Sequence, residues 1–356
     1  LYLFEMLKAA TVAALGHDAT RLEYVNQLNS MGLTWTAGIN PRFQGQPMGS
    51  AKPLCGVKED NLARLKDSIL SGEIEVFEAP EGFVAPDSFD SATNWPACAK
   101  VIDDIRDQSN CGCCWAFGGA SAASDRLCIA TNGTSAVPIS AEAVCFCASM
   151  DGCGGGYLQA TWGYVKKGAV TGGNQGDTGP LGGGFCSGFS LPHCHHHGPQ
   201  GDDPYPAEGT PGCPTQNSPK CPKQCDSSAK APHNDFAKDA YKFTGSIQSY
   251  GNEAAIQAAL MKDGPVETAF TVYQDFENYV SGVYKKTSST VLGGHAVRIV
   301  GWGVDSGTKY WKVANSWNPY WGEKGYFRIV RGVDECGIES QGMANGAGSW
   351  VGPTIF

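Results

Sequence analysis

The chain has 356 residues, 42% of them hydrophobic and only 17% charged, which supplies enough apolar material for a sizeable core and excludes a disordered protein. A net charge of −9 and a pI near 5.3 disfavour nucleic acid as a partner, since phosphate binding calls for a basic surface, and suit an acidic compartment. Fifteen cysteines, nearly all between Cys98 and Cys225 and without clean C-x-x-C zinc spacing, predict a disulfide framework in a secreted or lysosomal protein, and the odd count leaves at least one thiol free.

No apolar run of about 18 residues occurs, so no membrane-spanning helix is expected. Leu1 to Leu15 is apolar but interrupted by Glu5 and Lys8, and reads either as the tail of a clipped signal peptide or as a first helix. Residues 18–38 are predicted helical, with Leu22, Val25, Leu28 and Leu33 along one face. Residues 39–56, rich in Gly and Pro, read as extended chain, and 59–71 as a second helix carrying Leu62, Leu65 and Leu70. The polar, turn-rich loop with Pro80, Gly82 and Pro86 is a natural cleavage hinge, with the cut expected near Val84–Pro86. A helix is predicted to begin near Cys114 and to run through Ala130, followed by an acceptor for N-linked sugar at Asn132-Gly133-Thr134. Residues 171–232 lose periodicity and hold five cysteines that would staple them. Residues 252–262 are predicted helical, and 266–273, 295–304, 310–314 and 325–331 read as strands. A helix-rich half followed by a strand-rich half gives an α+β, two-lobed expectation without internal repeats.

The densest signal is Asp107-Gln108-Ser109-Asn110-Cys111-Gly112-Cys113-Cys114-Trp115-Ala116-Phe117. A cysteine at a helix N-terminus sits at the positive end of the peptide dipoles, which favours thiolate. Such a nucleophile needs a base that later protonates the leaving amine. An amide just upstream, Gln108, can serve the developing oxyanion together with the Cys114 N–H. The competing reading makes Cys113 and Cys114 buried structural thiols.

This segment resembles the C-G-[SA]-C-[WY] signature of papain-type cysteine peptidases, with Cys113 where Ser or Ala is expected. The likeness is to the cathepsin B branch and runs from about residue 20 onward. Trp35-Thr36-Ala37-Gly38 and Leu54-Cys55-Gly56 resemble its prosegment; Ser88-Phe89-Asp90 and Trp95-Pro96-Ala97-Cys98 resemble its mature N-terminus. Gly293-Gly294-His295-Ala296, Asn315-Ser316-Trp317 and Cys336-Gly337-Ile338-Glu339-Ser340 resemble its histidine, asparagine and C-terminal blocks. The resemblance implies a papain-like fold with a helical left lobe, mainly 98–232, and a β-barrel-like right lobe, mainly 233–340. It implies an inhibitory prosegment in 1–84 and a mature peptidase in 85–356. Cys114 becomes the nucleophile, His295 the base and then acid, Gln108 the oxyanion-hole amide and Asn315 the residue that orients the imidazole. Trp317 shields the Asn–His bond, and Gly155, Gly156 and Tyr157 line the non-primed side of the cleft.

Leu191-Pro192-His193-Cys194-His195-His196-His197 gathers four of the seven histidines. Consecutive histidines in an extended chain point to alternate sides, so a metal site is one reading and an idle solvated loop another. The resemblance implies a third: an occluding loop at about 186–213, whose His196 and His197 bind a substrate's terminal carboxylate, with Asp107 tethering the first. That reading adds removal of C-terminal dipeptides to endopeptidase action. It also implies pairings Cys98–Cys128, Cys111–Cys153, Cys186–Cys225, Cys194–Cys213 and Cys221 with either Cys145 or Cys147, and leaves Cys113 free. Gln341 stands where an acidic residue closes the S2 pocket of mammalian relatives, so Phe or Leu is expected at P2 rather than Arg. Expected partners are protein and peptide substrates, the chain's own prosegment and cystatin-type inhibitors, with no cofactor and no metal, in a lysosomal or similar acidic vesicle or outside the cell. Two other classes stay open: a catalytically silent homologue that binds peptides or a receptor, and a secreted disulfide-rich metal-binding or adhesive protein.

Overall fold

The computed structural model describes residues 2–177, 179–193, 214–346 and 348–353. The N-terminal arm contains α1 (Tyr2–Ser30), β1 (Trp35–Ala37), α2 (Asn61–Leu70) and β2 (Ile74–Val76). Residues 2–17 are continuous with α1, so the first helix starts earlier than 18. It also stops short of 38. Gly32 takes a left-handed φ of +67°, and Trp35 turns into a strand to pack on the rings of Tyr279 and Tyr284. In α2 Leu65 is buried, whereas Leu70 at its end faces solvent.

The helical lobe follows β3 (Phe89–Asp90), with α3 (Ser91–Asn94), α4 (Ala99–Ile102), α5 (Cys114–Ala130), α6 (Ala141–Cys147) and α7 (Leu158–Lys167). Almost every side chain of α5 is buried, as expected of a helix apolar all round. Its small residues let neighbours close in: a Cβ on Gly119 would lie 2.3 Å from Cγ2 of Thr161. Ser140 caps α6 by accepting from the Ala143 N–H.

The second lobe holds β4 (Lys242–Phe243), β5 (Ile247–Tyr250), α8 (Glu253–Asp263), β6 (Val266–Tyr273), β7 (Tyr279–Tyr284), β8 (Val291–Asp305), β9 (Thr308–Ala314), β10 (Tyr326–Val330), β11 (Gly342–Asn345) and β12 (Trp350–Val351). The main sheet has the order β1-β7-β10-β9-β8-β6-β11-β5-β2, with β3 added on β8, while β12 and β4 form a separate pair. The N-terminal arm therefore covers both ends of this sheet: β1 pairs antiparallel with β7, and β2 pairs parallel with β5. Covering edges in this way satisfies their open hydrogen-bonding groups.

Five disulfides join described residues: Cys98–Cys128, Cys111–Cys153, Cys113–Cys145, Cys147–Cys221 and Cys186–Cys225. Cys113 is thus not free, which corrects the expectation. It stands at the N-cap position of α5 and bridges to Cys145 of α6, and Cys147 takes Cys221. The expected Cys194–Cys213 bridge lies outside the described residues. Among those described, Cys55, Cys114 and Cys336 are free thiols.

Candidate active site

Cys114 is the first residue of α5, so its sulfur lies at the positive end of the helix dipole, against the Trp115 N–H. The backbone amides of Ala296, Gly56 and Trp115 lie against Sγ, with Gly56 N at 3.2 Å. Ala296 follows His295 on β8, which carries the imidazole to the same cleft. His295 Nε2 donates to Asn315 Oδ1 at 2.8 Å, and that oxygen also accepts from the Ser316 N–H at 2.8 Å. Asn315 thereby fixes the tautomer and leaves Nδ1 facing the cleft. Trp317 is fully buried with its ring centroid 4.9 Å from that of His295, tilted by 38°, which keeps water from the Asn–His bond. Gln108 Nε2 donates to the carbonyls of Leu54 (3.0 Å) and Cys111 (2.8 Å), while its Oε1 accepts from Ser316 Oγ at 2.7 Å. Cys114, His295, Asn315, Gln108 and Trp317 lie together at one cleft.

The cleft is filled by the chain's own residues 54–61. The Leu54 carbonyl sits on the Gln108 amide, where a reacting carbonyl oxygen would sit. Gly156 N donates to Gly56 O at 2.8 Å and Lys58 N to Gly156 O at 3.1 Å, in a parallel pairing of Val57 with Gly156. Both glycines matter here: a Cβ on Gly155, whose φ is +101°, would lie 2.6 Å from Gly56 O, and one on Gly156 would strike the Trp115 indole at 2.4 Å. Tyr157 Oη donates to Asp60 Oδ1 at 2.8 Å under the Arg64 guanidinium. Gln341 Oε1 accepts from Asn61 Nδ2 at 2.9 Å. His196 and His197 lie outside the described residues.

Burial under this arm pushes the Cys114 thiol up to about 11 and the His295 imidazole down to about 4. Neutral thiol beside neutral imidazole is therefore the favoured state while the arm is in place. Readmitting water relieves both shifts and lets the helix N-terminus favour a thiolate.

Two buried arginines that sequence reasoning missed hold the arm down. Arg42 Nη1 pairs with Asp107 at 3.2 Å and Arg42 Nη2 donates to Ser109 O at 2.7 Å. Asp107 thus holds a cation from the arm, while its expected tether to His196 falls outside the described residues. Arg21 pairs with Glu277 at 3.3 Å, and Glu277 also accepts from the Gly49 and Ala51 amides. The available signal was weak, one arginine within a helix and one in the Gly- and Pro-rich stretch after it, and their partners lie more than sixty residues away in sequence. Cys111, Cys113 and Cys145 form the one cluster of metal-type ligands among the described residues, and all three are committed to disulfides.

Residues 85–345 match the model of the papain family cysteine proteases, described as "Papain family cysteine protease". The chain is 44% identical over 355 residues to cathepsin B-like cysteine proteinase 5 of Caenorhabditis elegans, covering 94% of each. It is 40% identical over 332 residues to a cathepsin B-like cysteine proteinase of Schistosoma japonicum, covering 91% of this chain and 89% of the other. The solved procathepsin B S9 of Trypanosoma congolense superposes with a TM-score of 0.71 at 30% identity, over 92% of this chain and 98% of that one. The chain belongs to the papain family of cysteine proteases. Within that family it is a cathepsin B-like protease, and its arm corresponds to the prosegment of a proform.

Proposed function

We propose that this chain is the zymogen of a cysteine peptidase that cuts peptide bonds through a Cys114 thiolate and a His295 imidazolium, internally and by removing C-terminal dipeptides, after activation in an acidic vesicle or outside the cell. The observation that carries this reading is the Leu54 carbonyl on Gln108 Nε2 with the Gly56 N–H on Cys114 Sγ, a peptide held across the reacting atoms.

In the reaction Sγ attacks the scissile carbonyl carbon, and the resulting oxyanion accepts from Gln108 Nε2 and the Cys114 N–H. The tetrahedral intermediate collapses as His295 gives its proton to the leaving amine, leaving a thioester on Cys114. His295 then takes a proton from water, which attacks the thioester and frees the acid and the thiol. The parallel pairing of residue 57 with Gly156 supports a prosegment that runs opposite to a substrate strand and so resists being cut. Maturation near Val84 would remove residues 1–84 and leave 85–356. Asn132 is exposed, which supports its use as a sugar acceptor. No helix among the described residues is long and apolar enough to cross a membrane.

The test is labelling by an epoxide or vinyl-sulfone inhibitor after acid treatment, followed by peptide mapping. Modification at Cys114 that is lost in His295→Ala supports the mechanism; an unlabelled Cys114 in folded, arm-free protein refutes it. For dipeptide removal, His196→Ala/His197→Ala is compared with the parent on substrates with free and amidated C-termini. Survival of a preference for the free acid rules out that role for the two histidines.

A further inference from the structure

Three thiols among the described residues take part in no disulfide, although the rest of the framework is oxidised. Two of them, Cys55 in the arm and Cys114 at the start of α5, meet in the cleft. The Gly56 N–H lies 3.2 Å from Cys114 Sγ. The Cα of Cys55 is two covalent bonds from that nitrogen, about 2.4 Å, and so lies within about 5.6 Å of the Cys114 sulfur. The Cα of Cys114 is a further two bonds from its sulfur, about 2.8 Å, so the two Cα atoms lie within about 8.4 Å, a span that includes the roughly 4.4–6.8 Å of bridged cysteines. The arm is fixed on both sides of Cys55, by Leu54 O on Gln108 and by Val57 N on Gly294 O at 3.0 Å. Cys55 also packs on β8, since a Cβ built on Gly293 would lie 2.8 Å from Cys55 Cβ. Its Sγ now donates to the Ala51 carbonyl at 3.4 Å, so rotation about one side-chain bond redirects it. Cys55 is half-buried, whereas Cys114 is fully covered.

We propose that Cys55 and Cys114 form an oxidative modification site: a small-molecule disulfide of the glutathione type converts them to an intramolecular disulfide that locks the arm over the nucleophile. The proposal rests on Cys114 lying in the cleft and not on its catalytic competence. In the first step the Cys55 thiolate attacks the oxidant, forming a mixed disulfide and releasing one small thiol. In the second the Cys114 thiolate attacks the Cys55 sulfur and releases the second small thiol. The protein loses two protons and two electrons, and the oxidant is reduced to two thiols. Each thiol is raised by burial, and Cys55 further by Cys114, so both steps draw on a minor thiolate and quicken as the pH rises. Once closed, the bridge keeps residue 55 on residue 114 even if the chain is cut near Val84. Processing would then yield a nicked but blocked enzyme until a reductant arrives, a safeguard suited to a chain that forms its other disulfides in an oxidising compartment.

The experiment treats the purified full-length chain with oxidised glutathione at mildly alkaline pH, quenches with acid and alkylating agent, and maps peptides by mass. The expected product is lighter by two hydrogen atoms, carries a Cys55–Cys114 cross-linked peptide, and exceeds glutathione adducts by about tenfold or more, since the second thiol is held at high effective concentration. Active-site labelling of the treated, acid-processed protein is expected to be blocked and to return with dithiothreitol. Glutathione adducts on Cys55 and Cys114 without a cross-link, or the same mass loss in Cys55→Ser, would overturn the proposal. Because the cross-link is read by mass, a catalytically silent Cys114 leaves this result intact while failing the inhibitor-labelling test.

Discussion

Replacing Arg42 by Met removes the cation that the arm supplies to Asp107. In the closed zymogen Asp107 is fully buried and would keep the Ser109 N–H at 2.7 Å and the Asn318 amide at 3.3 Å as hydrogen-bond donors. Breaking one side of a buried ion pair costs about 3–5 kcal/mol, and the surviving donors place this case near the lower end. Opening the arm lets water reach Asp107, so the cost falls on the closed state alone. About 3 kcal/mol corresponds to a roughly 100-fold rise in the open fraction. The assay is the rate at which an epoxide inhibitor labels Cys114 in intact zymogen at neutral pH, with circular dichroism confirming the fold. Labelling about 100-fold faster than the parent is expected. The mature enzyme provides a control, because a cut near Val84 removes position 42 and leaves identical protein. A folded Arg42→Met zymogen labelled at the parental rate would refute the assignment of Arg42 as a buried latch.

Asp60 is held below the usual carboxylate range, first by the Tyr157 hydroxyl and then by Arg64, so its contact is present above the ordinary carboxylate pKa and is lost as pH falls through the lowered value. Asp60→Asn should therefore make arm release less pH-dependent, changing acid maturation rates by about twofold to fivefold, measured by band shift over time at several pH values. Glu277 runs the other way: burial pushes it up, its contribution favours the closed state at low pH and fades as pH rises, and Glu277→Gln should leave acid triggering in place. Gln341, bonded to Asn61 in the zymogen, offers no charge to a basic P2 side chain. Paired dipeptide substrates should show Phe or Leu preferred over Arg at P2 by about tenfold or more, with Gln341→Glu raising cleavage of the substrate with Arg at P2. Cys113→Ser opens a bridge spanning 32 residues, which should cost about 3–4 kcal/mol of stability by denaturant titration while activity persists. Cys114→Ser should abolish activity with little effect on stability.

The active-site residues were legible because their signals are local or carried by a strong motif. A nucleophile must start a helix, and the small and apolar run from Trp115 marks where α5 begins. His295 follows a glycine pair on a strand whose β-branched and aromatic content is readable, and Asn315 lies at the end of the next strand. What failed were long-range choices. Cys113 was expected free because spacing says nothing about which sulfurs face each other across α5 and α6. The four-residue strands β5 and β11 are not legible in the sequence because each is short and borrows its stability from neighbours in the sheet, and β7 is interrupted by Ser281 and Gly282.

From the order of its residues alone, this protein set the start of the nucleophile's helix, the α+β succession and the chemistry of its four catalytic candidates, since helix termini, strand propensity and side-chain reactivity act over a few neighbouring positions. Only the folded chain decided that residues 54–58 fill its own cleft, that β1 and β2 close opposite ends of one sheet, and that Arg21 and Arg42 find buried carboxylates. Such pairings join groups far apart in sequence, and the energy of desolvating and matching them exists only once both partners are packed.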